Sequence, residues 1–201
     1  MSPEEIADRY AALRGEVGPG VTVVVATKYL PVDGLQALVD AGVDVVGENR
    51  AQDLEEKHAR YGDAFRWHFI GHLQSRKAKT LNALCELCHS LDSESAAGKL
   101  TIPALVEVNL SGEPTKSGVA PEALGAFLGC YADVRGLMTM PPATDDPEQS
   151  RPYFRRLREL AAEHGLAELS MGTSQDYRVA VEEGATYIRV GSSLFGNRRP
   201  Q

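Results

Sequence analysis

The sequence predicts one eight-stranded parallel β/α barrel of the TIM type, with an additional helix ahead of the first strand. Three observations predict it. Short β-branched runs alternate with longer amphipathic stretches eight times along the chain. The chain has 201 residues, 43% of them hydrophobic, which suffices for one sizeable core and leaves little for a second. Residues able to do chemistry recur just after the β-branched runs, where barrels of this kind carry their sites. The whole chain, 1–201, is therefore expected to be one barrel domain.

The elements follow in order. A helix over about Pro3 to Glu16 precedes the first strand and is expected to cover the barrel bottom or flank. Strands are expected at Thr22–Ala26, Val43–Gly47, Arg66–Ile70, His89–Leu91, Ala104–Val108, Val134–Leu137, Glu168–Met171 and Thr186–Val190. Pro31 opens a helix with Leu35, Leu38 and Val39 on one face and Gly42 past its end. Ser150 is placed to cap another, which carries Phe154, Leu157, Leu160 and Ala161 inward and stops at Gly165. Thr173 and Asp176 form a capping-box pattern for the last helix, with Tyr177, Ala180 and Val181 facing inward. The stretch from Ser93 to Lys99 allows barely two turns, so a doubly wound open sheet is the competing topology.

Reading only the carboxyl ends of the strands gives a short set of polar residues. Lys28 directly follows the apolar run Val23–Thr27. A lysine there can snorkel to solvent. Held in an apolar mouth it would instead lose its charge and offer a free amine to an aldehyde. At the far end of the chain, Ser170-Met171-Gly172-Thr173-Ser174 leads from the seventh strand into a helix, and Arg189-Val190-Gly191-Ser192-Ser193 ends the eighth. Small residues admit close approach, hydroxyls and free N–H groups favour an anion, and these two loops commonly hold phosphate in such barrels.

Other classes are disfavoured. The net charge of −7 argues against nucleic acid or an anionic membrane surface as partner. No run has the length to span a bilayer, and Met1 to Tyr10 is too polar for a signal sequence, so the expected compartment is the cytoplasm. Cys85-Glu86-Leu87-Cys88-His89 matches a haem-attachment pattern but reads as helix-end packing, and Asn109-Leu110-Ser111 as an unused glycosylation triplet. The cluster Arg155-Arg156-Arg158 reads as a solvated helix face.

Taken together, Ala26–Lys28, Gly47–Asn49, Trp67–Gln74, His89–Ser93, Val108–Ser111, Lys116–Gly118, Arg135–Met138, Leu169–Ser174 and Ile188–Gly196 resemble, in order, the pyridoxal phosphate homeostasis family. The barrel of that family is similar to the N-terminal domain of alanine racemase. The resemblance implies pyridoxal 5′-phosphate (PLP) held covalently as a Schiff base on Lys28. It implies Ser170, Gly172, Ser174, Gly191 and Ser192 around the phosphate, Arg189 at the pyridine nitrogen, and Asn49, His72 and Met138 bordering the ring. It further implies a vitamin B6 carrier without catalytic residues, metal or turnover, which buffers PLP or supplies it transiently to apo enzymes, as a monomer. The segment Ser93 to Pro103 is shorter than in typical members, Arg76 stands where Asn is common, and Thr173 where Met is frequent. The rival is a racemase-like enzyme. It would need acid–base groups on both faces of a substrate carbon, the second of which alanine racemase takes from a further domain.

Overall fold

Ser2 opens the first helix through a reciprocal capping box. Its hydroxyl accepts from the Glu5 N–H at 3.2 Å, and the Glu5 carboxylate accepts from the Ser2 N–H at 2.8 Å. In this computed structural model, which describes residues 2–113, 115–131 and 133–195, that helix is α1 (Pro3–Val17). It buries Ile6, Tyr10, Leu13 and Val17 at helical spacing. Eight strands follow: β1 (Thr22–Ala26), β2 (Val45–Glu48), β3 (Arg66–Phe69), β4 (Leu87–Leu91), β5 (Ala104–Glu107), β6 (Val134–Met138), β7 (Glu168–Thr173) and β8 (Tyr187–Val190). Each pairs in parallel with the next, and β8 pairs with β1, Arg189 opposite Val24, so the sheet closes. Closure excludes the doubly wound alternative.

Between the strands run α2 (Gln36–Asp40), α3 (Ala51–Tyr61), α4 (Ala78–Leu84), α5 (Glu94–Ala97), α6 (Leu124–Leu128), α7 (Arg151–Glu163) and α8 (Tyr177–Glu182), with α9 (Ser192–Phe195) after β8. α1 packs on α2 and α9, and its Glu16 accepts from Tyr177 and Arg178 at the α8 end. It thus takes a place on the barrel's flank. Parallel strands are covered on both faces, which is why their sequences are apolar nearly throughout. Outward side chains such as Val23, Val25, Trp67 and Phe69 join Leu38, Leu54, Leu81 and Phe154 from the helices in the main core. Leu87, Leu105 and Met138 form a separate, smaller layer with Tyr187, which the strand alternation places inside the barrel.

Several expectations need adjusting. β4 begins at Leu87, two residues ahead of the expected His89, so Cys88 and His89 are strand residues while Cys85 ends α4. Burial pushes both thiols up, Cys88 to about 11. The stretch after β4 gives a single turn, α5, and the register shifts between Cys88 and Leu91 where β4 meets β5. Ser150 does not cap α7. Its hydroxyl donates to Asp176 at 2.8 Å, while Asp146 accepts from the Glu148 N–H ahead of the 3-10 turn Pro147–Ser150 that leads in. The Thr173–Asp176 pattern forms half a box, Asp176 accepting from the Thr173 N–H at 2.7 Å, and α8 starts only at Tyr177. Arg155 and Arg158 pair with buried Glu183, and Arg156 with Glu159 and Glu163, so the α7 cluster is ion-paired as well as solvated. Among the described residues no helix is long and apolar enough to cross a membrane.

Candidate functional site

Lys28 leaves the end of β1 above a buried polar tie. Lys57, from α3, donates to the Thr27 carbonyl at 2.8 Å and to Glu48 Oε1 at 2.5 Å, and the Thr27 hydroxyl donates to the same carboxylate oxygen. Thr27, Glu48 and Lys57 are almost wholly buried. Lys28 itself is exposed, its ammonium 4.8 Å from the centre of the Tyr29 ring, with Tyr29 exposed beside it. Of the two settings open to this lysine the structure shows the solvent-reaching one, not the apolar enclosure: the strand is buried, and the side chain extends past its end into solvent. The amine is accessible to a ligand as it stands.

A second buried cation is Arg189 on β8, nearly enclosed inside the barrel. Its guanidinium donates to the Ser170 carbonyl at 2.9 Å, the Ser170 hydroxyl at 2.5 Å and the Thr139 carbonyl at 3.0 Å, with Met140 Sδ at 2.8 Å. Desolvation pulls its pKa down to about 10, against the attraction of Glu107 and Asp176, so it stays charged at neutral pH. Behind Ser170 the chain of polar contacts continues inward. His89 Nδ1 lies 2.7 Å from the Ser170 hydroxyl and His89 Nε2 2.9 Å from His68 Nδ1. Donors running in one direction, Arg189 to Ser170 to His89 to His68, make all three contacts with both rings neutral. Burial keeps them so, holding His68 down near 3 and His89 well below the usual histidine value. Ser170, expected at the phosphate, is thus fully buried and committed to Arg189 and His89.

The loops after β7 and β8 meet at the same end. Ser174 Oγ accepts from the Gly191 N–H at 3.1 Å and the Ser193 N–H at 3.2 Å, and lies 3.3 Å from the Ser193 hydroxyl. Two N–H groups and the Ser193 hydroxyl therefore gather around the Ser174 hydroxyl. Ser192 is exposed beside them. Gly172 has φ +91°, and a Cβ there would sit 2.5 Å from that of Ala180, so only glycine lets α8 pack this close. Because β1 and β8 are neighbours, this cluster stands beside Lys28.

The remaining expected residues spread around the rim. Asn49, just past β2, has a buried Oδ1 without a donor among the described residues. His72 is exposed, with Nδ1 3.5 Å from Asp92. Met138 does not border the mouth: it is buried in the inner layer with Leu87, Leu105 and Tyr187. Met140, half-exposed and touching Arg189, stands there instead. Glu107, at the end of β5, was not singled out by the sequence reading. The signal was a lone carboxylate inside the apolar run Ala104–Val108. Burial raises its pKa and neighbouring Asp92 raises it further, while Arg189 and His72 oppose. Asp92 is likewise raised by burial. Glu107, Asn109, Lys116, Ser117 and Met140 line a cleft of about 290 Å³.

Comparison with known proteins fits this arrangement. The alanine racemase N-terminal domain family matches residues 2–199. A pyridoxal phosphate homeostasis protein of Aquifex aeolicus is 42% identical over 195 residues, covering 87% of this chain and 86% of its own length. One of Pseudomonas aeruginosa is 37% identical, covering 94% and 88%. The chain belongs to the pyridoxal phosphate homeostasis family. PipY of Synechococcus elongatus, solved with PLP bound, superimposes with a TM-score of 0.85 at 35% identity, covering 95% of this chain and all of that one. Within this family frame, Lys28, the Ser174–Gly191–Ser193 cluster and Arg189 cluster at the carboxyl ends of β1, β7 and β8. Gly196, which ends the last matching run, lies outside the described residues.

Proposed function

We propose that the protein binds PLP as a Schiff base on Lys28 and buffers or supplies it, without turning over a substrate. The observation that carries this is the placement of an exposed primary amine on β1 beside the convergent N–H and hydroxyl groups of Gly191, Ser193 and Ser174. The residues present fit the group. Lys28 offers a nucleophilic amine, which on condensing with an aldehyde releases one water. Gly172, Ser174, Gly191 and Ser192 offer small size, N–H groups and hydroxyls to a phosphate. The phenolic hydroxyl of PLP is a donor of the kind Asn49 Oδ1 lacks. Arg189 is a fixed cation suited to an unprotonated pyridine nitrogen, and Ser170, Thr139 and His89 hold it in place. His72 borders the rim, and Met138 supports the floor beneath.

When bound, PLP supplies an aldehyde carbon and an electron-withdrawing ring. The chain orients it and exposes its attachment point to incoming amines. Borohydride reduction of the loaded protein, followed by peptide mass analysis, should place the pyridoxyl group on Lys28. An adduct elsewhere, or unchanged imine absorbance in Lys28→Ala, would overturn the assignment.

A further inference from the structure

Glu107 is a buried carboxylate that no described residue contacts, although Arg189 and His72 attract it from a distance. It is 9% exposed and has no hydrogen-bond or ion-pair partner among the described residues. The nearby cation Arg189 attracts it but makes no ion pair with it, turning both terminal nitrogens to Ser170, Thr139 and Met140. Asp92 adds negative charge close by: its Oδ1 is buried without a partner, and Oδ2 lies 3.5 Å from Nδ1 of the exposed His72. An unpaired buried carboxylate is costly, and a bound cation would relieve that cost.

The carboxylate opens on the cleft of about 290 Å³, close to the lower end of small-molecule sites at about 300 Å³. The same cleft also carries the opposite chemistry. Lys116 contributes an ammonium, held loosely at 3.5 Å from Glu113, and Thr115 and Ser117 contribute hydroxyls. A ligand complementary to both carries an ammonium at one end and a carboxylate at the other. We propose that this cleft is a binding site for a free amino acid, with Glu107 receiving its ammonium group and Lys116 its carboxylate. Lys28 does not line this cleft, whose Met140 touches Arg189.

Calorimetric titration of the full chain with L-alanine should show saturable binding. Loss of a charge-assisted contact should cost about tenfold in affinity, so N-acetyl-L-alanine should bind at least that much more weakly. Glu107→Gln should lower L-alanine affinity by a similar factor. Met140→Trp, which fills the cleft from an exposed position and changes no charge, should do the same. Lys116→Met should weaken L-alanine but not L-alaninamide, which lacks the carboxylate. Lys28→Ala should bind L-alanine as the parent does, so attachment of the cofactor and this site are read separately. The proposal is overturned by the absence of saturable L-alanine binding, by N-acetyl-L-alanine binding equally well, by binding unchanged in both Glu107→Gln and Met140→Trp, or by binding lost in Lys28→Ala.

Discussion

Gly172 and Gly191 stand at the ends of neighbouring strands but resist substitution for different reasons. At Gly172 a side chain meets Ala180 and the backbone conformation is left-handed, so even Gly172→Ala should destabilise the fold, by about 1–3 kcal/mol, lowering the thermal midpoint. A midpoint unchanged in Gly172→Ala would mean α8 can shift. At Gly191 the nearest atom to an added Cβ is the Ala26 carbonyl oxygen at 3.3 Å, a lesser conflict. Gly191→Val should therefore fold and report on the ligand. It should weaken PLP far more than unphosphorylated pyridoxal, in paired spectroscopic titrations. Equal loss for both ligands would put the phosphate elsewhere. At this scale the sequence was legible where a residue's position follows from the end of a strand, as for Lys28 after β1 and Gly191 after β8. It was not legible where a role depends on which face of a strand a side chain takes: Ser170 and Met138 point into the interior, and Met140, two residues on, reaches the rim.

The first strand ends where it does because α3 and β2 hold it. Lys57 and Glu48 bind one another and Thr27, which fixes the backbone from which Lys28 departs. Removing one member leaves a buried charge alone, so Lys57→Met should destabilise by about 3–5 kcal/mol in urea unfolding. The double variant Lys57→Met/Glu48→Gln should recover part of that loss; no recovery would show that packing, not charge, sets the cost. A second tie joins β3, β4, β7 and β8 through His68, His89, Ser170 and Arg189. The folded-state values of both histidines lie below the ordinary 6.5, His68 near 3, so this stabilisation is complete above pH 6.5. It is lost as pH falls toward 3, because the unfolded chain takes up protons first, at about 1.4 kcal/mol per pH unit for each group. The stability deficit of His68→Gln at pH 7 should accordingly narrow between pH 6.5 and 4. A deficit that stays constant would argue against neutral rings. All eight strands were readable from β-branched runs, since a parallel sheet buries both faces and leaves little ambiguity. The helices after β1 and β4 were less so. Pro31 leads into a 3-10 turn before α2, and α5 shrinks to one turn because β4 and β5 can pair directly across a register shift.

The closed barrel brings an open amine and an immobilised cation to one mouth, and that pairing bears on whether the molecule carries PLP or acts through it. A pyridine ring is a strong electron sink only when its nitrogen is protonated, and a neighbouring fixed cation opposes that protonation. Arg189 cannot swing away or readily give up its proton: three donor contacts hold it, and it keeps its charge up to about pH 10. With the ring placed as proposed, breaking a bond at an amino acid's α-carbon would be disfavoured. Exchange of a cofactor held on Lys28 as proposed would not be, because an incoming amine needs only access to the point of attachment, and Lys28 is exposed. The expected outcome is transfer without turnover. Protein given L-amino acids in deuterium oxide should show α-hydrogen exchange no faster than free PLP does, followed by NMR. Loaded protein mixed with an apo PLP enzyme should restore its activity, and Lys28→Ala should lose the covalently held fraction that can be donated. Rapid protein-dependent exchange would instead support racemase-like chemistry, and Arg189→Glu, which would favour a protonated ring nitrogen, should then accelerate it.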